Sequence, residues 1–487
     1  MTKRAWSHTI CSAAIVTCCL LPSAALANQD IDNDIDYSKT DNTILGHALY
    51  ARAHENPMKS IGILLNANMN NTLGKDRDLA LIFLGDQLNE RGLKKEALDL
   101  YYEVIQEGKR KKVTDSARLH YAKVKHDLEQ YQAAYQVAQE IDDSNLSNKQ
   151  EVEYRLIKAH ALLRASEIDD AIDALPSMRN NSLWALYQRY NFGSELLGTY
   201  NNKHGAAVLH QLSNADDSDN PEILALKDQS NLVLGFSLLK INKPEKARSY
   251  FQKVRLNGLM SSMALLGMGW SYAVEENYEK SLVYWLELQT RSLGGAYSYE
   301  SSLAIPYAFG RANAYQQSIS YYKAALNRFE ADIASMETAK PAIDSKLFLR
   351  LLSHAPEEES AWIQAWHPSK QNPESLFLPL FMDNPEFQHH LKEYRNLLSL
   401  KLYATSMIED INSLEQSSGG TLKQLRHKHQ LLIQGIGKAI NAKEPVLQQL
   451  ALNVIEGYQT QLNDYLQQTR LGMAQVIEKA TLELELE

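Results

Sequence analysis

The residues that could most readily bind a metal ion are two short histidine groups near the C-terminus. His389 and His390 are adjacent, and His427 and His429 flank Lys428. Two histidines can share a metal ion from one helical face when they are spaced i, i+4, as in H-E-x-x-H. Adjacent and alternate histidines diverge around a helix. The spacing therefore predicts helix-surface histidines, and we expect no metal and no cofactor.

A second motif with possible chemistry is Gly435-Ile436-Gly437-Lys438, which ends like a phosphate-binding loop. Such a loop needs G-x-x-x-x-G-K-[ST] between a strand and a helix, and here Ala439 follows the lysine. No G-x-S-x-G nucleophile elbow occurs, and no triad signature is recognisable. The sequence predicts no catalytic residues and a protein that is not an enzyme. A wall- or glycan-acting enzyme stays an alternative that a deep polar cleft with paired carboxylates would support.

The N-terminus is typical of a cleavable secretory signal. Lys3 and Arg4 precede an apolar run over residues 10–21, and Ala25 and Ala27 supply small residues for signal peptidase. The run is shorter than the roughly 20 apolar residues that span a bilayer. We therefore expect cleavage after residue 27 and a location in the periplasm. An envelope-anchored lipoprotein and a secreted protein are the alternatives.

Charge and cysteine content narrow the class further. The chain of 487 residues has 50 Lys and Arg against 59 Asp and Glu, a net charge of -9, which argues against a nucleic-acid partner. Cleavage removes two basic residues and leaves a net charge of -11. It also removes all three cysteines, Cys11, Cys18 and Cys19, so the mature chain cannot form disulfides or thiolate sites. No later stretch is long enough for a transmembrane segment.

The sequence of the mature chain predicts a succession of amphipathic helices, in which small and large residues recur at a fixed spacing. Relative to Gly235 as an anchor, the small Ala247 is at +12 and the large Phe251 is at +16. The same spacing recurs at Gly269 with Ser281 and Trp285, Gly85 with Ala97 and Tyr101, Ala122 with Ala134 and Ala138, Ala159 with Ala171 and Leu175, and Pro306 with Ser318 and Tyr322. Small residues let two antiparallel helices approach, and large ones fill the groove to the next pair.

This pattern resembles the tetratricopeptide repeat (TPR) superfamily over about residues 44–330. Gly269 is at +34 from Gly235, and this interval is the period of the family. The resemblance implies an all-α, TPR-like α-solenoid of helical hairpins and an exported bacterial TPR-containing protein. The sequence departs from the family where Leu81, Asn231 and Leu265 replace the fourth-position tryptophan, and residues 184–212 are expected to fit the register badly.

The remaining chain divides around a proline-rich stretch. We predict a signal peptide at 1–27, a flexible acidic leader at 28–43, helical repeats at 44–340, a connector at 341–385 and a C-terminal helical hairpin or coiled-coil module at 386–487. The module is expected to hold three helices, at 386–416, 420–441 and 444–482, which pair within the chain or with a second copy. The connector's aromatics form either a core or a binding lip: Trp362, Trp366, Phe377, Phe381 and Phe387.

The resemblance also suggests a function. TPR proteins hold a partner peptide or helix on the concave face formed by their first helices. Polar first-helix residues are the candidates for partner binding: Asp86, Asn89, Asn231, Ser237 and Ser271. We expect a periplasmic protein-interaction scaffold, in envelope or surface-polymer assembly, with one or more protein partners. A structural homo-oligomer assembled through the C-terminal helices is the alternative.

Overall fold

A computed structural model describes residues 42–486, except 55, 180–181, 200–202, 216–219, 259, 291–295, 354–376, 383 and 416–420. The described residues form helices and turns, with no β-strand among them, so the all-α prediction is confirmed. No helix in this part of the chain is long and apolar enough to cross a membrane. The predicted signal peptide, nearly all of the acidic leader, Trp362 and Trp366 lie outside the described residues.

The helices are numbered here in chain order. They are α1 (Thr43–Ala53), α2 (Pro57–Met69), α3 (Arg77–Glu90), α4 (Lys94–Glu107), α5 (Lys111–Asp127), α6 (Tyr131–Ala138), α7 (Asn148–Arg164), α8 (Ile168–Ala174), α9 (Leu183–Gly198), α10 (Lys203–Ser213), α11 (Pro221–Lys240), α12 (Pro244–Phe251), α13 (Ser261–Ala273), α14 (Tyr278–Thr290), α15 (Ala296–Arg311), α16 (Tyr315–Ile343), α17 (Lys346–Ser353), α18 (Leu378–Met382), α19 (Pro385–Glu415) and α20 (Thr421–Leu486).

Helices α1 to α16 pair as successive hairpins. In α3–α8 and in α11–α16, each first helix packs on the second helix of its own hairpin, and that second helix packs on the next first helix. First helices also contact one another, as α3 does α5 and α11 does α13. This order of contacts stacks hairpins side by side and gives them a shared core, so the predicted TPR-like fold is confirmed.

The spacing from the anchor to the large residue at +16 has a direct cause in the packing of each hairpin. A β-carbon on Gly85 would lie 2.5 Å from the ring of Tyr101, and a β-carbon on Gly235 would collide with Phe251. The Phe251 ring also fills the space that a side chain at Gly267 would need on the next first helix. The small residue therefore admits an aromatic ring that contacts two hairpins at once.

Two further hairpins have the same spacing. Relative to Gly193 on α9, Gly205 is at +12 and Leu209 is at +16, and a β-carbon on Gly193 would lie 3.1 Å from Leu209. The expectation that residues 184–212 depart from the register is therefore wrong. In the first hairpin Ala48, Ser60 and Leu64 have the same spacing and are fully buried. The anchors at 48, 85, 122 and 159 recur at one constant interval, which is longer than the family's interval, whereas the family's interval separates 159 from 193 and 235 from 269.

In six hairpins, a residue with a positive φ follows the end of the first helix, always seven positions after the anchor. These residues are Gly92, Glu129, Ser166, Asn242, Glu276 and Asn313, with φ between 56° and 78°. The next residue donates its backbone N–H back to the helix, for example from Gln130 to the Lys125 carbonyl at 2.9 Å. This bond is the Schellman closure, which satisfies a carbonyl at the helix end.

The chain forms two compact units, which we describe separately. Unit A comprises Ser23–Arg189 and Leu391–Lys443, and unit B contains Tyr190–His390 and Glu444–Glu487. The predicted C-terminal module at 386–487 thus contributes residues to both units.

In unit A, α19 packs on the first hairpins. The Tyr403 hydroxyl lies 3.3 Å from where a β-carbon on Gly62 of α2 would be. Asn396 donates to the carbonyl of Arg91, the residue that ends α3, at 2.8 Å. An ion pair between Glu393 and Lys443 joins α19 to α20. These contacts make α19 part of the core of unit A.

In unit B, α20 runs antiparallel along α16. Gln448 donates to the Ile343 carbonyl near one end of α16, and Tyr315 donates to Glu483 near the other. The apolar stripe of α20 is buried against unit B: Leu447, Leu450, Ala451, Val454, Ile455, Leu462 and Leu466. A repeat array leaves an apolar face open at its last hairpin, and α20 covers this face here.

Two sequence expectations about this region are resolved by the described residues. Residues 420–441 and 444–482 were expected to form separate helices, but α20 is continuous from Thr421 to Leu486 with Pro445 inside it. Proline cannot donate to the carbonyl four residues earlier, yet Ile440 and Leu447 are buried on either side and hold the helix. Of the connector aromatics, Phe381 and Phe387 are fully buried and Phe377 is nearly so, as in a core.

Candidate partner-binding face

Asp86 lies on α3 immediately after the anchor Gly85. The Tyr101 ring packs on this glycine, and its hydroxyl donates to Asp86 Oδ1 at 2.6 Å. His120 on α5 contacts the same carboxylate oxygen through Nδ1, also at 2.6 Å. Three helices therefore position a single carboxylate, whose side chain remains 28% exposed.

The same arrangement bears on catalysis. A nucleophile–base pair requires the base to accept the proton of the nucleophile. Here the Tyr101 hydroxyl donates to Asp86, and His120 Nδ1 faces the same oxygen. The contacts fix the orientation of the carboxylate.

A second carboxylate lies one helical turn further on. Glu90 pairs with Arg52 of α1 at 2.9 Å, and both side chains are about one-fifth exposed. Burial raises the pKa of Glu90 above its usual range, the Arg52 guanidinium opposes this effect, and Asp86 adds to it. Burial also lowers the pKa of the adjacent Arg91. The charges here are thus partly desolvated, which strengthens their interactions with one another.

Asn89 lies between these two carboxylates in sequence and is partly exposed. We call Arg52, Asp86, Asn89, Glu90 and His120 the charged strip of unit A. The strip spans the first helices of three consecutive hairpins, α1, α3 and α5. It combines two carboxylates, a guanidinium, an imidazole and an amide, a set that can donate and accept hydrogen bonds along a partner's backbone.

Beyond the strip, the ion pair that links α5 to α7 is shielded from solvent. Lys123 of α5 pairs with Glu153 of α7 at 2.8 Å, and the Glu153 side chain is only 1% exposed. The Lys123 ammonium lies 5.2 Å above the Trp184 ring, and Ser182 donates to Glu153. Since the ion pair is satisfied and covered at the start of α9, the accessible face in this part of unit A ends here.

A buried imidazole cluster lies behind that cover. The rings of His126 and His160 are 4.7 Å apart and perpendicular. His160 Nε2 contacts the Gln188 carbonyl at 3.1 Å, while neither His126 nitrogen has a hydrogen-bond partner among the described residues. Burial lowers the pKa of His160 well below its usual value, and His126 adds to this effect. Burial therefore favours the neutral form of the His160 imidazole.

The candidates in unit B have other surroundings. Asn231 is buried and donates to the Lys227 carbonyl at 2.9 Å, and Ser271 is fully buried and donates to the Met268 carbonyl at 2.6 Å. Both contribute to the interior in this conformation. Ser237 is partly exposed on α11. Of the five predicted residues, the structure brings together only Asp86 and Asn89.

A solvent-open polar cleft also lies in unit A, with a volume of about 610 Å³. Its lining holds four carboxylates and two basic groups: Asp143, Glu151, Tyr154, Arg155, Lys158, Leu162, Asp170, Asp173 and Ala174. The Arg155 guanidinium is engaged with the carbonyls of Ala174 and Leu175 at the end of α8. If the protein were an enzyme, this cleft would be the first place to test for an active site. An open cleft with mixed charges does not by itself indicate a type of reaction.

The motifs with possible metal or phosphate chemistry fall on helices. Within the described chain, no group of three or more His, Asp or Glu residues could hold a metal ion. The rings of His389 and His390 are 5.4 Å apart on α19. Gly435 and Gly437 lie inside α20 and so are not part of a strand–loop–helix unit. The side chain of His429 is outside the described set.

The sequence reasoning missed three members of the strip: Arg52, Glu90 and His120. One signal could have identified His120, because it is at +34 from Asp86 and faces it from the next first helix. Glu90 is one turn from Asp86 on the same helix, a spacing that places both side chains on one face. Arg52 was not found because the first hairpin lacks the glycine and the aromatic residue that marked the others.

The comparisons with known proteins add little beyond the fold. No family model matches the sequence, and no curated protein matches it. Two matching solved structures are both TPR-type helical repeat proteins. The apo form of RapI is 12% identical, with 82% of this chain and 98% of that chain covered and a TM-score of 0.35. The APC/C hetero-tetramer Cut9-Hcn1 is 13% identical, with 96% of each chain covered and a TM-score of 0.23. Because these TM-scores are low, the fold assignment rests on the packing of the hairpins described above.

Proposed function

We propose that the protein is a non-catalytic protein–protein interaction scaffold that holds a partner peptide or helix against the first helices of unit A. The charged strip carries this proposal. Its side chains are polar and partly exposed, and they link three successive first helices through the Arg52–Glu90 and Asp86–His120 contacts. A polar, partly exposed face of this kind suits binding. In a repeat fold, the first helices offer an extended surface for such a ligand.

The proposal includes a cellular setting. The signal-like N-terminus supports export to the periplasm of a bacterium. Roles typical of the exported repeat proteins that the chain resembles are envelope and surface-polymer assembly. A partner in either process would be another envelope protein with an exposed segment that can lie along α1, α3 and α5.

Asn89 gives the sharpest test of this face. Asn89→Arg would add a large cation between Asp86 and Glu90, near the C-terminal end of α3. Gln106→Arg is the matched control, because Gln106 is exposed near the C-terminal end of α4 and gains the same charge. Crosslinking in intact cells should lose the captured partners with Asn89→Arg and keep them with Gln106→Arg. If both variants kept every partner, binding at the strip would be wrong, although the fold would stand.

A homo-oligomer is the second candidate function, and one observation favours it. Leu402 of α19 is 73% exposed, and Leu431 and Leu432 of α20 are about half exposed, all within unit A. These leucines could pair with a second copy. Light scattering of the full chain tests the idea: a strict monomer excludes it, whereas a dimer that Leu402→Glu dissociates supports it.

A further inference from the structure

The segment around α12 in unit B is strongly basic within an acidic protein. Residues 240–255 contain six basic side chains and one acidic side chain, Glu245, in a chain whose net charge is -9. The basic residues are Lys240, Lys243, Lys246, Arg248, Lys253 and Arg255. Like charges at this density raise the local positive potential, which attracts negatively charged groups.

Two of the six form ion pairs within unit B. Both terminal nitrogens of Arg248 bond to Glu275, at 2.9 and 3.0 Å, and its guanidinium lies 4.4 Å from the Tyr272 ring centre. Arg255 pairs with the buried carboxylate of Asp228 at 2.7 Å. These arginines join neighbouring hairpins. The four lysines are exposed, and none forms an ion pair within the described chain.

The lysines belong to a face that two second helices share. Lys246 and Tyr250 are spaced i, i+4 on one side of α12, and Lys253 lies in the turn that follows Phe251, the last residue of this helix. The Lys253 ammonium lies 5.4 Å above the Tyr250 ring and donates to Asn214 Oδ1 at 3.1 Å. The Tyr250 hydroxyl contacts Nδ1 of His210, on α10, at 3.0 Å. The face therefore continues onto α10.

One more cation extends this face. Lys203 lies seven residues before His210 on α10, on the same side of the helix, and is exposed. We call Lys203, His210, Lys246, Tyr250 and Lys253 the basic face of unit B. It belongs to second helices, whereas the charged strip of unit A belongs to first helices. The basic face is thus a separate surface from the one in the proposed function.

We propose that the basic face of unit B binds an acidic segment of a partner protein. Opposite charge gives the attraction, and Tyr250 in the middle offers an aromatic surface with a polar tip. The net negative charge of the chain opposes approach to membranes and nucleic acids, which carry many negative charges over a wide area. A short acidic segment interacts only with the charges within about a Debye length, roughly 10 Å at 0.1 M salt.

The test uses the full mature chain and a fluorescein-labelled twelve-residue peptide of alternating Glu and Ala. Lys246→Glu/Lys253→Glu reverses two charges of the basic face. The matched control is Lys109→Glu/Lys112→Glu, which reverses two exposed lysines of unit A. At 50 mM salt we expect the first variant to bind the peptide about tenfold more weakly than the wild type, and the control to stay within about twofold.

Three results would overturn the proposal: no binding by the wild type, equal weakening by both double variants, or no weakening by the first. Phosphatidylglycerol vesicles provide the second arm. Binding to these vesicles that the Lys246→Glu/Lys253→Glu change abolishes, without peptide binding, would assign the face to a membrane. None of these outcomes bears on capture at Asn89, so the failure of one proposal leaves the other standing.

Discussion

Unit A and unit B use one repeat register but place different chemistry at the residue after each anchor. In unit A these residues are Asp86, Lys123 and His160 after the anchors 85, 122 and 159, and in unit B they are Phe236, Trp270 and Tyr307 after the anchors 235, 269 and 306. The anchors Ala48 and Gly193 depart from this division, because Leu49 and Ser194 follow them. The anchors and their partners at +12 and +16 are similarly small and large in both units. The spacing of small and large residues therefore determines how the two helices of a hairpin pair. It does not constrain the residue that follows the anchor on the first helix.

The consequences differ in the two units. In unit A, charges at this position pair with residues of the next first helix, as Lys123 does with Glu153 at 2.8 Å. In unit B, aromatic rings at this position pack on other rings: Trp270 and Trp285 lie 4.9 Å apart. Ionic contacts leave a polar face for recognition, whereas aromatic contacts extend the core.

The largest expected effect concerns the cover of unit B. Leu462 of α20 is fully buried, so Leu462→Ala should lower the free energy of unfolding by about 2–4 kcal/mol. Leu471, about half exposed on the same helix, is the control, and Leu471→Ala should cost less than about 0.5 kcal/mol. Urea unfolding measures both. Equal small effects would mean that α20 is not part of the core of unit B.

The two units should also respond to pH with opposite sign. In unit B, Glu300 accepts a hydrogen bond from the Trp270 indole, and burial raises the pKa of its carboxyl to about 7. The folded state then holds a proton that the unfolded state has released between about pH 4.5 and 7, so stability falls as pH rises through this range. Glu300→Gln, which still accepts from the indole, should remove about 1–3 kcal/mol of this dependence. If the unfolding free energies of the wild type and of Glu300→Gln changed equally with pH, this prediction would be wrong.

In unit A, His160 should give stability a pH dependence of the opposite sign. Burial keeps its pKa well below the usual value, so below about pH 6.5 the unfolded state binds a proton that the folded state does not. Stability therefore falls as pH falls, by up to about 1.4 kcal/mol per pH unit. The titratable groups that face His160 are His126 on α5 and Arg164 on its own helix, α7, and the Tyr131 ring of α6 stacks on the His160 ring.

The control for this prediction is His160→Gln, whose unfolding free energy should lose that slope between pH 6.5 and 5. An imidazole resonance of His160 that titrates near 6.5 in the folded protein would show that burial does not disfavour its charged form.

The smallest expected effect tests the shared hairpin turn. Glu129 has a φ of 59° at the end of α5, where a side chain is strained and glycine is not. Glu129→Gly should raise the free energy of unfolding by about 0.5–1 kcal/mol. The corresponding change Glu276→Gly, at a φ of 62° in unit B, should do the same. Stabilisation in only one unit, measured by urea unfolding, would mean that the turns are not equivalent.

Much of the fold could be predicted from residue spacing. The small residue at the anchor and the large one at +16 are local requirements of a helical hairpin, because one must admit the other. Gly85 with Tyr101 and Gly235 with Phe251 made this visible in the sequence. The hairpins with Ala48 and Gly193, which have leucine at the large position, were not recognised from the spacing.

The candidate site was predicted only in part, for a physical reason. Asp86 and Asn89 lie where the first helix is open, but Ser271 is covered on all sides. Sequence polarity marks a residue that can be exposed. It does not show that a neighbouring hairpin has covered that residue, and a serine can be buried if it bonds to a carbonyl of its own helix.

The sequence by itself determined the helical class, the register of the hairpins and the absence of thiols from the predicted mature chain, because these depend on residue type and local spacing. Tertiary structure alone decided where the long α20 lies and that it continues through Pro445. It also decided that the Tyr101 hydroxyl and His120 Nδ1 contact the same carboxylate oxygen of Asp86. Those outcomes depend on contacts between residues far apart in the chain, whose burial outweighs local preferences such as the helix-breaking tendency of proline.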